Sequence, residues 1–285
     1  IKTGAGQISN FGGSGVVADA GGVNAVDITI GTGGILTQNG AGVTGVHASS
    51  AGGNITVTTN GEVNSRTGIE TRASLGGITD INANKLVTGQ GSDAINAKTT
   101  GTGLIDIETA AVTSIGANGV FAQNTGVGAG DIKITTNGVV QAATDGIHAE
   151  VAGTGKIDIH SLAAVTGDNG DGIDAKSAGG SITVTTDGVV TGDPGIIINV
   201  VGGSGNATVV SNANVFGTVL DGIDAFITGA GTGKVSVTVN NASTVQGNVN
   251  GIVAKTNGGG DVSVVTTHAG SVVDGNGGDG VNASS

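Results

Sequence analysis

The sequence predicts an all-β chain: a right-handed single-stranded parallel β-helix of about eleven coils, each of roughly 26 residues and three short strands. Three observations carry that expectation. A four-residue anchor, Gly-(Ile/Val)-x-Ala, recurs along the chain. Each copy is followed at regular distances by an alternating apolar segment and then by a short valine segment. No window carries a 3.6-residue apolar stripe, and Gly interrupts every stretch that could become a helix.

The anchor opens each period. It stands at Gly15-Val16-Val17-Ala18, Gly45-Val46-His47-Ala48, Gly119-Val120-Phe121-Ala122 and Gly146-Ile147-His148-Ala149. It returns at Gly172-Ile173-Asp174-Ala175, Gly222-Ile223-Asp224-Ala225, Gly251-Ile252-Val253-Ala254 and Gly280-Val281-Asn282-Ala283, with degenerate copies beginning at Gly68, Ala94 and Gly195. About ten residues later comes a segment such as Ile132-Lys133-Ile134, Ile157-Asp158-Ile159 or Ile182-Thr183-Val184. Alternation with period two marks a strand with one buried face. A third strand follows at Val112, Val139-Val140, Val165, Val189-Val190 and Val272-Val273. Asp or Asn precedes most anchors, as in Asp145-Gly146, Asp171-Gly172 and Asp221-Gly222, which predicts a sharp corner with positive φ. Antiparallel meanders have no need of an identical triplet in every period. A parallel coil does, because each strand lies on its own copy one turn below. The expected domain is single and spans 1–285, with 1–14 and 284–285 as irregular or truncated ends.

Composition narrows the function. Cys, Met, Trp and Tyr are absent, which removes disulfides, thiolate metal sites and cysteine nucleophiles, along with most stacking platforms for sugars or single-stranded nucleic acid. A net charge of −12 repels phosphate backbones, so no nucleic-acid partner is expected. Hydrophobic residues reach 37%, mostly Val, Ile and Ala, which argues against disorder. No apolar run is long enough to span a bilayer, so direct membrane insertion is not expected. The 58 Gly show no three-residue period, which excludes collagen. No signal peptide is expected at Ile1, and a start other than Met suggests a processed or excised piece.

Gly-rich, Cys-free, aromatic-poor repeats such as Thr135-Thr136-Asn137-Gly138-Val139-Val140 and Thr185-Thr186-Asp187-Gly188-Val189-Val190 are similar to those of autotransporter passenger domains, the type V secreted proteins of Gram-negative bacteria. The likeness covers residues 15 to 283. It implies an extracellular or surface-displayed rod, acting as an adhesin or stalk scaffold, whose partners are other cells, surfaces or copies of itself. The membrane barrel of that family would lie outside this chain, and neither Gly-Asp-Ser-Gly nor Arg-Gly-Asp occurs.

Alternation fixes the outward residues of the anchor strand as two rows. One includes His47, Phe121, His148, Asp174, Ile197 and Asp224; the second includes Glu150, Lys176 and Phe226. Consecutive coils then place His148 beside Asp174 and Glu150 beside Lys176. Both pairs are expected to be exposed cross-strand ion pairs worth a few tenths of a kcal/mol, without displaced pKa values. Asp174 and Asp224 fall two coils apart with Ile197 between them, which does not suit a glycosidase pair. No catalytic residue, and so no enzyme, is expected. Phe121 and Phe226 are candidate contact points. No cofactor is expected; the best cation candidate is calcium at the oxygen-rich turn holding Asp168 and Asp171, for which a solvated turn is the plainer account. His47 and His148 lie four coils apart, too far for one ion. An ice-binding solenoid is the rival from another class, because Thr56/Thr58 and Thr183/Thr185 point outward. Asp106/Glu108, Lys133/Thr135 and Asp158/His160 break that ladder. A subunit polymerising end to end through its unpaired edges is the third reading.

Overall fold

The computed structural model of the chain describes residues 7–10, 13–21, 27–37, 43–126, 128, 130–202 and 204–285. Among them there are 32 strands, here β1–β32 in chain order, and no helix; none is therefore long and apolar enough to cross a membrane. The strands form three parallel sheets in which every third strand is a neighbour. The anchor sheet runs from β2 (Val16–Ala20) to β32 (Val281–Ser284) in eleven strands. The middle sheet runs from β3 (Ile28–Thr32) to β30 (Val262–Thr266) in ten. The short-strand sheet runs from β1 (Gln7–Asn10) to β31 (Val272–Gly275) in eleven. The fold is thus a β-solenoid with ten complete strand triplets, not eleven: eleven anchors enclose ten intervals, and β32 closes its sheet without a further triplet. Gln7–Asn10, within the stretch expected to be irregular, pairs with β4 (Gly34–Thr37).

Register follows the repeat residue by residue. Ile147, Ile173, Ile196 and Ile223 stack on one another, and all are fully buried. Ala149, Ala175, Ile198 and Ala225 form the next inward column. In the middle sheet Ile105, Ile132, Ile157 and Ile182 do the same. In the third sheet Val87, Val112, Val140, Val165 and Val190 line up, while Val139 and Val189 turn outward. Burial of these columns is what joins one coil to the next, and each coil contacts mainly its two neighbours. The third inward column, at the end of the middle strand, is hydroxylic. Thr109, Thr136, Ser161 and Thr186 are all buried; Ser161 Oγ donates to the Ala163 carbonyl at 2.7 Å, while the Thr109, Thr136 and Thr186 hydroxyls have no partner.

The anchor glycines are needed for a reason other than the expected corner. Positive φ occurs at Gly76, Gly101 and Gly202, none of them an anchor. A Cβ on Gly146 would instead come within 2.4 Å of Val165 Cγ1 and 2.5 Å of the Gly172 carbonyl oxygen. Gly172 repeats this with Val190 and Gly195 one coil on. The anchor glycine is where the backbone of the next coil and a valine of the third sheet both press on Cα, so the demand is for space.

Candidate functional site

The corner before the anchor sheet collects most of the molecule's unusual electrostatics. It is built by a ladder of turn side chains. Asp93 Oδ1 accepts the backbone N–H of Asn118 at 3.1 Å, Asn118 Oδ1 that of Asp145 at 3.1 Å, and Asp145 Oδ1 that of Asp171 at 2.9 Å. Further on, Asp221 Oδ1 accepts from Asn250 at 2.7 Å and Asn250 Oδ1 from Asp279 at 3.0 Å. Each turn acid or amide therefore caps the equivalent turn one coil later. The ladder breaks at Asp171, because the residue stacked after it is Pro194, which has no N–H.

His148 on β17 (Ile147–Val151) and Asp174 on β20 (Ile173–Ser177) are register partners, as expected, and Nδ1 of the histidine lies 2.9 Å from Asp174 Oδ2. The pair is not the exposed one that was expected: the two side chains are 22% and 24% exposed. Two neighbours account for this. Phe121 on β14 (Val120–Asn124) stacks flat on the imidazole with centroids 5.1 Å apart and planes within 1°. Asp145, three residues before His148, brings Oδ2 to 3.3 Å from the same Nδ1. Lys98 lies over the other partner of that stack, 4.9 Å from the Phe121 centroid. Burial opposes charge on His148, but its hydrogen bonds to Asp145 and Asp174 and their charges prevail, and its pKa is pushed up to about 10. Burial, then the charges of Asp174, Asp145 and Asp193, push Asp171 up to about 7. The expectation of undisplaced groups fails here because a flat parallel sheet sets outward neighbours so close that they shade one another from water.

Asp224 on β26 (Ile223–Ile227) departs further. It occupies the outward row, yet it is 8% exposed, lying between Ile197 and Val253 in register. Its Oδ1 has no hydrogen-bond partner. Burial, then the hydrogen bond and charge of Asp221, push its pKa up to about 8, so Asp224 holds its proton at neutral pH.

Glu150 and Lys176 are register partners too, but form no ion pair; Glu150 instead accepts from Gln123 Nε2 at 2.8 Å. Phe226 lies between Asn199 and Lys255 in the second outward row, half-buried. Asp168 is exposed in its turn and does not join Asp171 in a group of converging ligands. Among the described residues the set that could hold a metal is Asp145, His148 and Asp174, whose ligand atoms lie within 4.8 Å of one another. Sequence reasoning missed Asp145 by treating it only as a turn former. The available signal was its spacing, three residues before an outward histidine. A second polar group was missed as well. His47 bridges Glu70 at 3.0 Å and Asp19 at 3.4 Å, and Arg72 donates to Glu70 at 2.9 Å through Nε. Although burial opposes it, Arg72 and His47 hold the Glu70 carboxyl below its usual range.

Shallow depressions of about 190 and 180 Å³ lie around Lys133, Asp158 and His160 on the middle sheet and around Arg72, Lys98 and Gln123 on the anchor sheet. No protein-family model matches the chain, and neither curated proteins nor solved structures give a match.

Proposed function

We propose that this chain is a non-enzymatic rod, an adhesin or stalk scaffold displayed on, or released from, the surface of a Gram-negative bacterium. The observation that carries the proposal is the unbroken register of ten triplets, whose inward columns are apolar or hydroxylic and whose outward rows are mostly polar. Such a rod holds its two ends apart on the order of 50 Å at the usual strand spacing and offers long, flat faces rather than a cleft. The similarity of its repeats to autotransporter passengers supports the surface location. Its partners are then other cells, surfaces or further copies of the chain. The test is retention of beads coated with the purified chain on epithelial cells and on plastic under flow. Retention above that of beads coated with a Gly/Ser-rich control of equal charge is expected; equal retention would count against an adhesive role.

A second reading is end-to-end assembly. Val265 on β30, Val272 on β31 and Val281 on β32 are between 43% and 48% exposed, an apolar edge that further strands, from the same chain or from another copy, would cover. Sedimentation velocity separates the two: a concentration-dependent series of heavier species supports assembly, and a single monomer at all concentrations removes it. An ice-binding face is less well supported. The outward row of the middle sheet interrupts Thr56/Thr58 and Thr183/Thr185 with Asp80/Asn82, Asp106/Glu108 and Asp158/His160. No thermal hysteresis is expected.

A further inference from the structure

Asp145, His148 and Asp174 come from two adjacent coils, the first two residues from one and the third from the next. Their geometry is closer to a ligand shell than to an isolated ion pair. Around a divalent ion with bonds of about 2.1 Å, neighbouring ligand atoms sit roughly 3.0 Å apart in an octahedral shell and roughly 3.4 Å apart in a tetrahedral one. The two oxygens lie 2.9 and 3.3 Å from His148 Nδ1, and all three atoms fall within 4.8 Å. Phe121 covers one face of the imidazole and sets its plane, while Asp145 and Asp174 both lie on its Nδ1 edge.

A second observation points to the same place. Asp171 stands next to this group: its backbone N–H donates to Asp145 Oδ1 at 2.9 Å. In the ladder of turn side chains each neighbour caps a backbone N–H of the following coil, but Pro194 denies Asp171 that donor. Among the described residues its carboxylate accepts no hydrogen bond, so its charge near the three is not offset by a donor. Three acids around one imidazole also leave an excess of negative charge that a divalent cation would neutralise.

The geometry points to a divalent transition-metal site in which Asp145, His148 and Asp174 bind one ion across two coils, the ion taking the place of the proton on His148 Nδ1, with Asp171 outside that shell as additional negative charge on the neighbouring turn. One imidazole nitrogen with carboxylate oxygens suits zinc, manganese or cobalt. Calcium, which requires six or more oxygens, is a poor match. Bound there, the ion clamps two neighbouring coils of the rod and stabilises the folded state by mass action.

The test uses the full chain, stripped with a chelator and then titrated with Zn²⁺ in a calorimeter. One ion per chain is expected, with affinity falling at least about tenfold in His148→Gln and in Asp174→Asn, and unchanged in Asp168→Asn. Circular dichroism confirms that each variant keeps its strand content. Nitrogen-15 spectra of the histidines supply a readout that needs no variant: Zn²⁺ should move the Nδ1 resonance of His148 and leave those of His47, His160 and His268 in place, and Ca²⁺ at the same concentration should move none. The inference is overturned by the absence of saturable one-to-one binding. Binding that survives both substitutions, or a shift that falls on another histidine, overturns it equally.

Discussion

Asp145-Gly146-Ile147-His148 and Asp221-Gly222-Ile223-Asp224 are two copies of one motif three coils apart, with the same turn acid, the same steric glycine and the same buried isoleucine. They differ in the outward residue and in what flanks it. His148 has Phe121 on one side and Asp174 on the other, and the corner becomes a cation held between two acids. Asp224 has Ile197 and Val253 as flanks, and the corner becomes a buried, protonated acid beside Asp221. The backbone frame is common to both; the chemistry of each corner is set by the residue three after the turn acid and by the rows above and below.

The change that should break both corners is made beneath them. Ile173 is fully buried in the inward column shared by the two motifs, so Ile173→Asp places a charge among stacked isoleucines. A loss of about 4 kcal/mol or more is expected, with the coils around it melting together. Thermal unfolding followed by circular dichroism reads this directly. Asp174→Ala, one residue away but outward, should cost a fraction of that.

Next in size is Asp224→Asn. An acid whose folded pKa lies above its unfolded value keeps in the native state a proton that the unfolded chain releases. Stability therefore falls as pH rises from about 4 toward 8 and levels off above. A tenfold change in proton affinity is worth about 1.4 kcal/mol, so the substitution should stabilise the chain at pH 9 by a few kcal/mol and change little at pH 4. Urea unfolding at the two pH values decides it. An equal effect at both would mean that Asp224 is not protonated in the fold.

His148→Gln sharpens the other side of the comparison. Removing the cation leaves Asp145, Asp174 and Asp171 facing one another, and a loss of about 1–3 kcal/mol is expected at pH 7. His148 is raised above its unfolded value, so its contribution is full below about pH 6.5 and disappears as pH climbs toward 10; the variant should match the parent there. Smaller, and of opposite sign, is Thr136→Val, which removes a buried hydroxyl without a partner and should add about 1 kcal/mol. Smallest is Lys176→Gln, expected within about 0.5 kcal/mol because Lys176 is exposed and forms no ion pair with Glu150.

The register was legible because the anchor repeats so regularly. Counting from Gly146 to Gly172 and Gly195 places Ile147 on Ile173 on Ile196, and it places His148 beside Asp174, without any knowledge of packing. The corners were not legible for two reasons. Alternation assigns a side chain to a face but does not say how deep it lies; Asp224 faces outward and is still shielded by Ile197 and Val253. Alternation also says nothing of side chains arriving from a turn, so Asp145 reaching back to His148 and the loss of an N–H at Pro194 became visible only with three-dimensional placement. The glycine requirement was misassigned for a related reason: Asp-Gly suggests a positive φ locally, whereas the constraint on Gly146 comes from Val165 and Gly172, residues distant in the sequence.

The claim at the centre of this account is that register, by choosing the neighbours of the outward residue, sets the protonation of each corner. Carbon-13 NMR of the aspartate side chains across a pH series tests it most directly. The account predicts that the Asp224 carboxyl resonance keeps the position of a neutral acid through pH 7 and moves with a midpoint near 8. A midpoint below pH 5 would show an ordinary exposed carboxylate and would contradict the register that places Asp224 between Ile197 and Val253.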